Sequence, residues 1–239
     1  MKNLNVFLLA ALLLTSFGCS ESKQSKSESE TTVREQSENQ VETCTVFTFD
    51  TDEVGKMPAG WSNYFTGKGS LGKWEIRQDN GNQVLAQVSQ ENLGDHFDVV
   101  VWDESNYQNL EITVKFKGVK GEEDQGGGPV WRYQDSDNYY IARANPLENN
   151  FRVYKVVDGN RKQLASADIV IPSGEWHTIR ISMTSNHIEC FYDGKKYLDA
   201  IDDTLKDSGK AGLWIKADAF TYFDDLKITN LRGLWDVVD

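Results

Sequence analysis

Apolar and polar residues alternate along short segments of this chain from Cys44 onward, with turn residues between the segments. Such alternation sends successive side chains to opposite faces of a β-strand. Two of the turns, Asn80-Gly81 and Asp158-Gly159, favour tight hairpins because these residue types tolerate a positive φ. About a dozen such segments follow one another, and none shows sustained helical periodicity. The pattern predicts an all-β sandwich of two antiparallel sheets.

The N-terminal part of the chain lacks this alternation. Residues 1–18 hold the apolar run Val6–Leu14, which is too short to span a bilayer and is typical of a secretory signal peptide. Residues 19–43 are rich in Ser, Glu, Gln and Lys and contain no aromatic residue. They cannot bury enough apolar surface to offset the entropy of ordering. We expect a flexible tether there, a sandwich over residues 44–231 and a C-terminal tail over 232–239.

Cys19 directly follows Gly18 at the end of the predicted signal peptide. This arrangement resembles the signal of bacterial lipoproteins, in which the cysteine is lipidated and becomes the new N-terminus. The resemblance implies an exported protein that Cys19 anchors to a membrane of the bacterial cell envelope, in the periplasm or at the cell surface. Simple secretion with cleavage nearby is the alternative.

Cys44 and Cys190 are the other two cysteines. An exported chain enters an oxidising compartment, where a disulfide between them is allowed. Two buried free thiols are the alternative. Two cysteines do not make up the four-ligand set of a structural zinc site, so the pair does not indicate zinc.

The charge balance narrows the range of partners. The 239 residues carry a net charge of −12, and both nucleic acid and anionic lipid would repel such a surface. No basic run of the kind that marks a nucleic-acid surface is present. We therefore expect no nucleic-acid partner, and contact with a membrane only through the N-terminal lipid.

Three motifs carry a family resemblance: WRYQDSDNYYIAR at residues 131–143, GEWHTIRISMTSNHIECFYDGKKYLDA at 174–200, and AGLWIKADAFTYFDDLKIT at 211–229. They resemble the hairpin, the central strands and the closing strands of concanavalin A-like jelly rolls, the laminin-G-like branch in particular. The resemblance runs from roughly Thr45 to Asn230. It implies the jelly-roll fold, but this superfamily contains lectins, glycosidases, polysaccharide lyases and adhesion modules, so it leaves the function open.

Glycosidases of this fold carry carboxylates at alternate positions of one strand, where one acts as nucleophile and another as acid. No such spacing occurs here, since Glu122 and Glu123 are adjacent and run into Gly126–Gly128. These glycines lack the Lys-Ser/Thr of a phosphate loop, and we expect a sharp bend there. His96 is the one histidine that neither the fold motif nor a turn explains. The sequence predicts no catalytic residue and favours a protein that is not an enzyme.

The hairpin within Gly128–Pro146 has two distinct faces if its tip is Asp135–Asn138. An aromatic and small-residue face predicts the core, and it carries Trp131, Tyr133, Tyr140, Ala142 and Ala144. The opposite, mostly polar face carries Arg132, Gln134, Tyr139, Ile141, Arg143 and Asn145. A single-residue bulge would exchange part of the two sets.

The next hairpin, around Asp158-Gly159, adds Arg152 and Tyr154 to this polar face if the two hairpins are neighbours in one sheet. Tyrosine rings stack on sugar faces, and arginine forks pair with the carboxylates or sulfates of an acidic glycan. Cross-strand pairing of Arg with Tyr is the alternative. Trp102 ends a predicted strand and is a further candidate for stacking. The predicted ligand-binding residues are Arg132, Tyr139, Arg143, Arg152, Tyr154 and Trp102.

The family resemblance also implies one structural calcium ion, which many jelly rolls of this superfamily hold between the first and last strands. Asp224 matches the closing-strand position, and Asp50 at the end of the first predicted strand is its candidate partner. Two carboxylates with backbone carbonyls suit calcium. An acidic strand end that binds nothing is the alternative.

Together these features favour a non-catalytic, lectin-like carbohydrate-binding module on an exported lipoprotein, with an acidic glycan as the expected ligand class. Two alternatives stay open. One is a polysaccharide hydrolase or lyase of the same fold, and the other is a structural or adhesion module of the cell envelope with a protein partner.

Overall fold

The computed structural model describes residues 43–231, which form β-strands and the turns between them. The predicted signal peptide, Cys19, the predicted tether up to residue 42 and the predicted C-terminal tail lie outside this range. Within the range, we find no helix of the length and hydrophobicity needed to cross a bilayer. The strands are β1 (Cys44–Phe47), β2 (Trp61–Gly67), β3 (Trp74–Asp79), β4 (Asn82–Gln87), β5 (His96–Trp102), β6 (Leu110–Lys120), β7 (Gly127–Asp135), β8 (Asn138–Asn145), β9 (Asn150–Val157), β10 (Asn160–Asp168), β11 (His177–Thr184), β12 (His187–Tyr192), β13 (Lys195–Ile201), β14 (Lys210–Lys216) and β15 (Phe220–Asn230).

The strands form two sheets. The eight-stranded sheet has the order β13-β12-β11-β6-β15-β4-β3, with β1 also paired to β15, and the seven-stranded sheet has the order β10-β9-β8-β7-β14-β5-β2. Asn80-Gly81 and Asp158-Gly159 both have positive φ at each residue, which is the conformation that a tight hairpin turn requires. The predicted all-β antiparallel sandwich is confirmed.

The main core lies between the sheets and takes alternate residues from both of them. On β6, Ile112, Val114 and Phe116 are fully buried, and across from them Trp131 of β7 donates its indole N–H to the sulfur of Met183 at 3.0 Å. Each fully buried side chain of this kind contributes about 1.5–3 kcal/mol relative to an exposed one. This interior holds the two sheets together.

A second apolar cluster lies on the other face of the seven-stranded sheet, which we call the outer face. Along β8, Tyr139 and Ile141 belong to this cluster, whereas Tyr140 and Ala142 belong to the interior. Because neighbouring residues of a strand point to opposite faces, the two clusters are separated by the sheet itself. The outer cluster consists of Phe97, Val99, Val101, Val130, Tyr133, Tyr139, Ile141, Tyr154, Val156 and Trp214.

A β-bulge in β7 changes the predicted faces of the first hairpin. Trp131 and Tyr140 face the interior as predicted, but Tyr133 stacks on Tyr139 in the outer cluster, with ring centroids 5.7 Å apart. The prediction that Tyr133 is a core residue between the sheets is therefore wrong. The pairing of β7 with β8 shifts between Trp131 and Asp135, and Arg132 within the shift has a φ of 46°. A slip of this kind reverses the side-chain directions that follow it.

The three glycines at 126–128 serve close packing rather than the expected sharp bend. None of them has a positive φ. A Cβ on Gly128 would lie 2.1 Å from the carbonyl oxygen of Ala142, and one on Gly126 would lie 2.8 Å from Cδ of Arg143. Only glycine lets β7 begin this close to β8.

Cys44 and Cys190 are both free thiols, so the disulfide that the sequence allowed is absent. Cys44 is exposed on β1 and Cys190 is fully buried on β12. Strands β15, β6 and β11 lie between β1 and β12, which puts the two cysteines on the order of 19 Å apart. A disulfide requires Cα atoms within about 7 Å. Neither sequence alternative anticipated one exposed and one buried thiol.

Asp202, just after β13, ties the edge of the eight-stranded sheet to the seven-stranded sheet. Its carboxylate accepts hydrogen bonds from the Tyr140 hydroxyl at 2.7 Å and from Nζ of Lys155 at 2.6 Å. The Tyr140 oxygen in turn accepts the backbone N–H of Leu205 at 3.1 Å. These bonds fix the segment after β13 against β8 and β9.

We expect Asp202→Asn to lower the free energy of unfolding by about 2 kcal/mol at pH 7. Burial alone would raise the pKa of Asp202, but the hydrogen bonds from Lys155, Tyr140 and Thr204 outweigh it and lower the pKa to about 2. Since the folded pKa lies below the unfolded one, this stabilisation is complete above about pH 4 and is lost as the pH falls towards 2.

Urea unfolding of both proteins between pH 2 and pH 7 measures this difference. Asp203→Asn is the matched control, because the neighbouring Asp203 side chain is 73% exposed, and we expect it to change stability by less than about 0.5 kcal/mol. A stability difference for Asp202→Asn that does not shrink towards pH 2 would contradict the assignment.

Candidate functional site

Charged residues border the outer cluster where β8, β9 and β10 lie side by side. Arg143 pairs directly with Arg152 in the register of β8 and β9, and Arg161 of β10 pairs with Val156 of β9. Directly paired residues share a face, so all of these arginines lie on the outer face. We define the outer-face site as the group formed by Asp124, Arg143, Glu148, Arg152, Tyr154 and Arg161.

Arg143 and Asp124 form the buried floor of this site. Nη1 of Arg143 lies 2.6 Å from Oδ2 of Asp124, and their side chains are 1% and 0% exposed. Asp124 also accepts the N–H of Gly126 at 2.6 Å and the amide of Asn145 at 3.1 Å. Burial raises the pKa of Asp124 despite the opposing effect of Arg143. With each oxygen held by donors, this carboxylate fixes Arg143 in place.

Glu148 forms the rim of the site. Its Oε2 accepts from Arg143 at 2.7 Å, from Asn150 at 2.8 Å and from Arg152 at 3.1 Å. Partial burial acts to raise the pKa of Glu148, but the Asn150 hydrogen bond and the Arg143 and Arg152 charges keep the pKa below its ordinary value. Its side chain is 37% exposed and that of Arg152 is 30% exposed. Both can therefore meet a ligand.

Arg161 lies on the aromatic side chains of the outer cluster. Its guanidinium carbon is 4.7 Å from the ring centroid of Tyr154, 4.8 Å from that of Phe97 and 5.7 Å from that of Trp214. Such cation–π contacts hold the guanidinium flat against the rings. Burial lowers the pKa of Arg161. Its Nη1 has no hydrogen-bond partner among residues 43–231.

Tyr139 is a buried support for these aromatic residues. Its hydroxyl lies 2.7 Å from Oγ1 of Thr66 and accepts the indole N–H of Trp214 at 3.3 Å. The side chain is fully buried, and burial raises its pKa to about 12. Tyr139 holds Trp214 beneath Arg161.

The structure brings together four of the six predicted ligand residues: Tyr139, Arg143, Arg152 and Tyr154 share the outer face. Arg132 lies elsewhere because the β-bulge turns it away, and it donates to the backbone carbonyls of Gln108, Leu205 and Ser185. Trp102 packs on the interior side against Phe47, with ring centroids 5.2 Å apart. The position of Trp102 therefore does not fit the predicted stacking role on the arginine face.

Sequence reasoning did not select Asp124, Glu148 or Arg161 as site residues. Arg161 follows the Asp158-Gly159 turn in the same hairpin as Arg152 and Tyr154, and that position is the available signal. Asp124 follows Glu122 and Glu123 in an acidic loop that lacks the alternating carboxylates of a catalytic strand. Its contact with Arg143 joins residues 19 positions apart in sequence, which no local pattern reveals.

His96, the unexplained histidine, is a packed structural residue. Its Nε2 lies 3.2 Å from Oδ1 of Asp98, its Nδ1 lies 2.6 Å from the carbonyl oxygen of Lys68, and both side chains are 0% exposed. Burial raises the pKa of Asp98. Gly72 also donates its N–H to Asp98 at 3.0 Å. The pair has no opening to a substrate and ties β5 to the loop that follows β2.

The two predicted calcium ligands approach the same hairpin end. Asn82 donates to Oδ2 of Asp224 at 2.7 Å, and Gln83 donates to the backbone carbonyl of Asp50. Burial raises the pKa of Asp224. A calcium ion held by Asp50 and Asp224 stays a prediction.

Another group of side chains has metal-ligand composition: His187, Glu189 and Asp199 on the eight-stranded sheet. Nζ of Lys196 already lies 2.8 Å from Glu189 and 2.9 Å from Asp199. The lysine supplies the positive charge that a metal ion would bring, so the group is a surface ion-pair network.

A model of the 3-keto-alpha-glucoside-1,2-lyase-like domain family matches residues 55–229 of this chain. A search of curated proteins found none that matches this chain. Among solved structures, the carbohydrate-binding module CBM66 from Bacillus subtilis is similar, with a TM-score of 0.57 and 16% identity over 70% of this chain and 94% of that chain. Domain 4 of AbnA, a GH43 extracellular arabinanase from Geobacillus stearothermophilus solved in complex with arabinotriose, has a TM-score of 0.52 and 10% identity over 79% of this chain and 93% of that chain.

A protein from Bacillus subtilis with a galectin-like fold is also similar, with a TM-score of 0.51 and 12% identity over 72% of this chain and 90% of that chain. At such identities these likenesses concern the fold alone. They agree with the concanavalin A-like jelly-roll sandwich that the sequence motifs implied.

Proposed function

The chain belongs to the family of 3-keto-alpha-glucoside-1,2-lyase-like domains, and from this premise we propose that it is a non-catalytic carbohydrate-binding module of an exported lipoprotein. Its ligand lies on the outer-face site. Membership in this family supports a carbohydrate-related role. The choice of site, the absence of catalysis and the acidic character of the ligand rest on the physical arguments that follow.

The position of Arg161 is the observation that carries the proposal. Its guanidinium is fixed on Phe97, Tyr154 and Trp214, so little side-chain entropy remains to be lost when a ligand binds. Beside it, Arg152 offers N–H donors and the rim carboxylate of Glu148 offers acceptors. Donors and acceptors held at fixed positions match the vicinal hydroxyls of a sugar ring, which both donate and accept.

The charge of Arg161 supports an acidic ligand. Arg143 and Arg152 form ion pairs with Asp124 and Glu148, whereas Arg161 forms none with any residue in the described range. A half-buried guanidinium without a carboxylate binds a carboxylate or sulfate better than one that is already paired. A ligand carboxylate would supply the missing partner in a protein whose net charge is −12.

The hydrogen-bond partners of Asp124 support a binding role without catalysis. Asp124 is fully buried and held by Arg143, Gly126 and Asn145. A general base needs a lone pair directed at a substrate proton, and this carboxylate has its oxygens occupied. Asp124 thus orients Arg143 instead of reacting.

Glu148 favours a second candidate, a 1,2-elimination of the kind that the family is named for. In the described part of the chain its hydrogen bonds all go to Oε2, which leaves Oε1 for a substrate. A ketone at C3 acidifies the proton at C2. Removal of that proton by Glu148 would form the C1–C2 double bond and break the bond from C1 to the leaving oxygen, which then takes up a proton.

Export and lipid anchoring belong to the same proposal. Their support is the short apolar run before Gly18 and Cys19, both of which lie outside the described residues. The acidic stretch over 19–43 would separate the sandwich from the membrane.

The first prediction from this proposal concerns glycan binding at Arg161. We expect uronic-acid or sulfated oligosaccharides to bind, and Arg161→Gln to weaken binding at least about tenfold because one charge-assisted contact is lost. Arg152→Gln should weaken it to a similar extent. Calorimetric titration with ligands found on a glycan array is the measurement.

Arg180→Gln is the matched control, because Arg180 stacks on Phe191 and pairs with Glu111 on the other sheet. It should leave glycan affinity unchanged. Absence of binding to every glycan on the array, or equal affinity of the wild type and Arg161→Gln, would refute the outer-face site.

The second prediction separates binding from elimination. We expect no new ultraviolet absorbance when the protein is incubated with a 3-keto-glucoside, because a binding module forms no conjugated enone. Enone formation that Glu148→Gln abolishes would replace the non-catalytic proposal with the elimination.

The third prediction concerns Cys19. Mass spectrometry of the mature protein from its bacterial host should find a diacylglyceryl group on this cysteine, and Cys19→Ser should move the protein from the membrane fraction to the soluble fraction. An unmodified Cys19 would mean simple secretion.

A further inference from the structure

The β-bulge that removes Arg132 from the outer face places it at a separate cavity. Arg132 is 2% exposed. Its Nε and Nη2 donate to the carbonyl oxygen of Gln108 at 2.9 and 2.7 Å, Nη1 donates to Leu205 at 2.7 Å, and Nη2 donates to Ser185 at 2.6 Å. Three separate segments of backbone therefore hold one guanidinium.

Arg132 has no carboxylate partner in the described part of the chain. Arg77, Arg143, Arg152 and Arg180 all form ion pairs there. A buried charge is normally paired, and backbone carbonyls supply only dipoles. A guanidinium has five N–H donors, so one donor remains after the four bonds to carbonyls. Arg132 is thus a fixed positive charge with a spare donor.

A cavity of about 320 Å³ adjoins this guanidinium. Ligand pockets range from roughly 300 to 1,000 Å³, so this one has room for a single sugar ring. Its lining is polar, and Arg132 and Lys206 exceed Asp203 by one positive charge. The lining residues are Gln108, Arg132, Ser185, Asn186, Asp203 and Lys206.

The floor of the cavity has a constrained backbone. Arg132 has a φ of 46° and Ser185 has a φ of 57°, both in the left-handed region that residues with a Cβ disfavour. The hydrogen bond from Arg132 to the carbonyl of Ser185 joins the two. At Arg132 the β-bulge in β7 requires this conformation, and at Ser185 the two-residue turn between β11 and β12 requires it. Both features fix the floor of the cavity.

We propose that this cavity binds a monosaccharide-sized hydroxycarboxylate, such as the terminal uronate of a glycan. The carboxylate pairs with Arg132 and with Lys206. The hydroxyl groups face Asn186, Ser185 and Asp203, which offer amide, hydroxyl and carboxylate groups. Lys206 and Asp203 are 3.9 Å apart with side chains 73% exposed, so both can turn towards a ligand. This site is independent of the outer-face site.

Calorimetric titration of the protein with sodium glucuronate tests the proposal. We expect a binding event that persists in Arg161→Gln, which Lys206→Ala weakens at least about fivefold through the lost charge, and which Asn186→Ala also weakens. Arg132→Gln should abolish it. Because loss of Arg132 can also prevent folding, the two rim variants carry the test.

Lys162→Ala is the matched control, since Lys162 lies on β10 away from the cavity, and it should leave the affinity unchanged. Glucose should bind at least about tenfold more weakly than glucuronate if a carboxylate is recognised. Equal affinity for glucose, or full affinity in both rim variants, would overturn the proposal. Loss of glucuronate binding in Arg161→Gln alone would also overturn it, because the ligand would then lie on the outer face.

Discussion

The seven-stranded sheet has to bury apolar side chains on both of its faces, and the charged site of this protein depends on how it does so. One face packs against the other sheet. The other face carries ten apolar and aromatic residues that belong to a single sheet. Arg161 covers part of them through its contacts with Phe97, Tyr154 and Trp214. A guanidinium can do this because its flat, weakly hydrated surface tolerates an aromatic neighbour while its edge stays polar. The same side chain therefore completes the packing and presents a charge.

The β-bulge in β7 determines which arginine serves which part of the molecule. Without it, Arg132 would continue the alternation onto the outer face, opposite Tyr139, and Tyr133 would face the interior. The bulge reverses both. Tyr133 joins the outer cluster, where it stacks on Tyr139, and Arg132 enters a set of backbone carbonyls at the edge of the sandwich. The bulge thus sends two arginines that the sequence predicts on one face to different polar surfaces.

Alternation and turn chemistry were enough to predict the sandwich. Asn80-Gly81 and Asp158-Gly159 formed the expected hairpins, and Arg143, Arg152, Tyr154 and Tyr139 shared a face because the two hairpins are neighbours. The location of the bulge was not predictable, since φ at Arg132 depends on contacts with Gln108, Ser185 and Leu205 from distant segments. The degree of burial of these side chains was not predictable either. Tyr139 and Arg143 are on the expected face but are fully or almost fully buried, so they support the residues that a ligand can reach.

Both of the proposed sites follow from one electrostatic argument. The chain has 37 acidic and 25 basic residues, so a carboxylate partner is available for most arginines. Ion pairs of this kind are formed by Arg77, Arg143, Arg152 and Arg180. Arg132 and Arg161 are shielded from such partners, one by backbone carbonyls and one by aromatic rings. Burial lowers the pKa of both, because a less hydrated environment disfavours the charged form. Carbonyl oxygens and π faces stabilise a cation only in part. An acidic ligand would complete the neutralisation of Arg132 and Arg161, and neither arginine would have to leave a carboxylate partner.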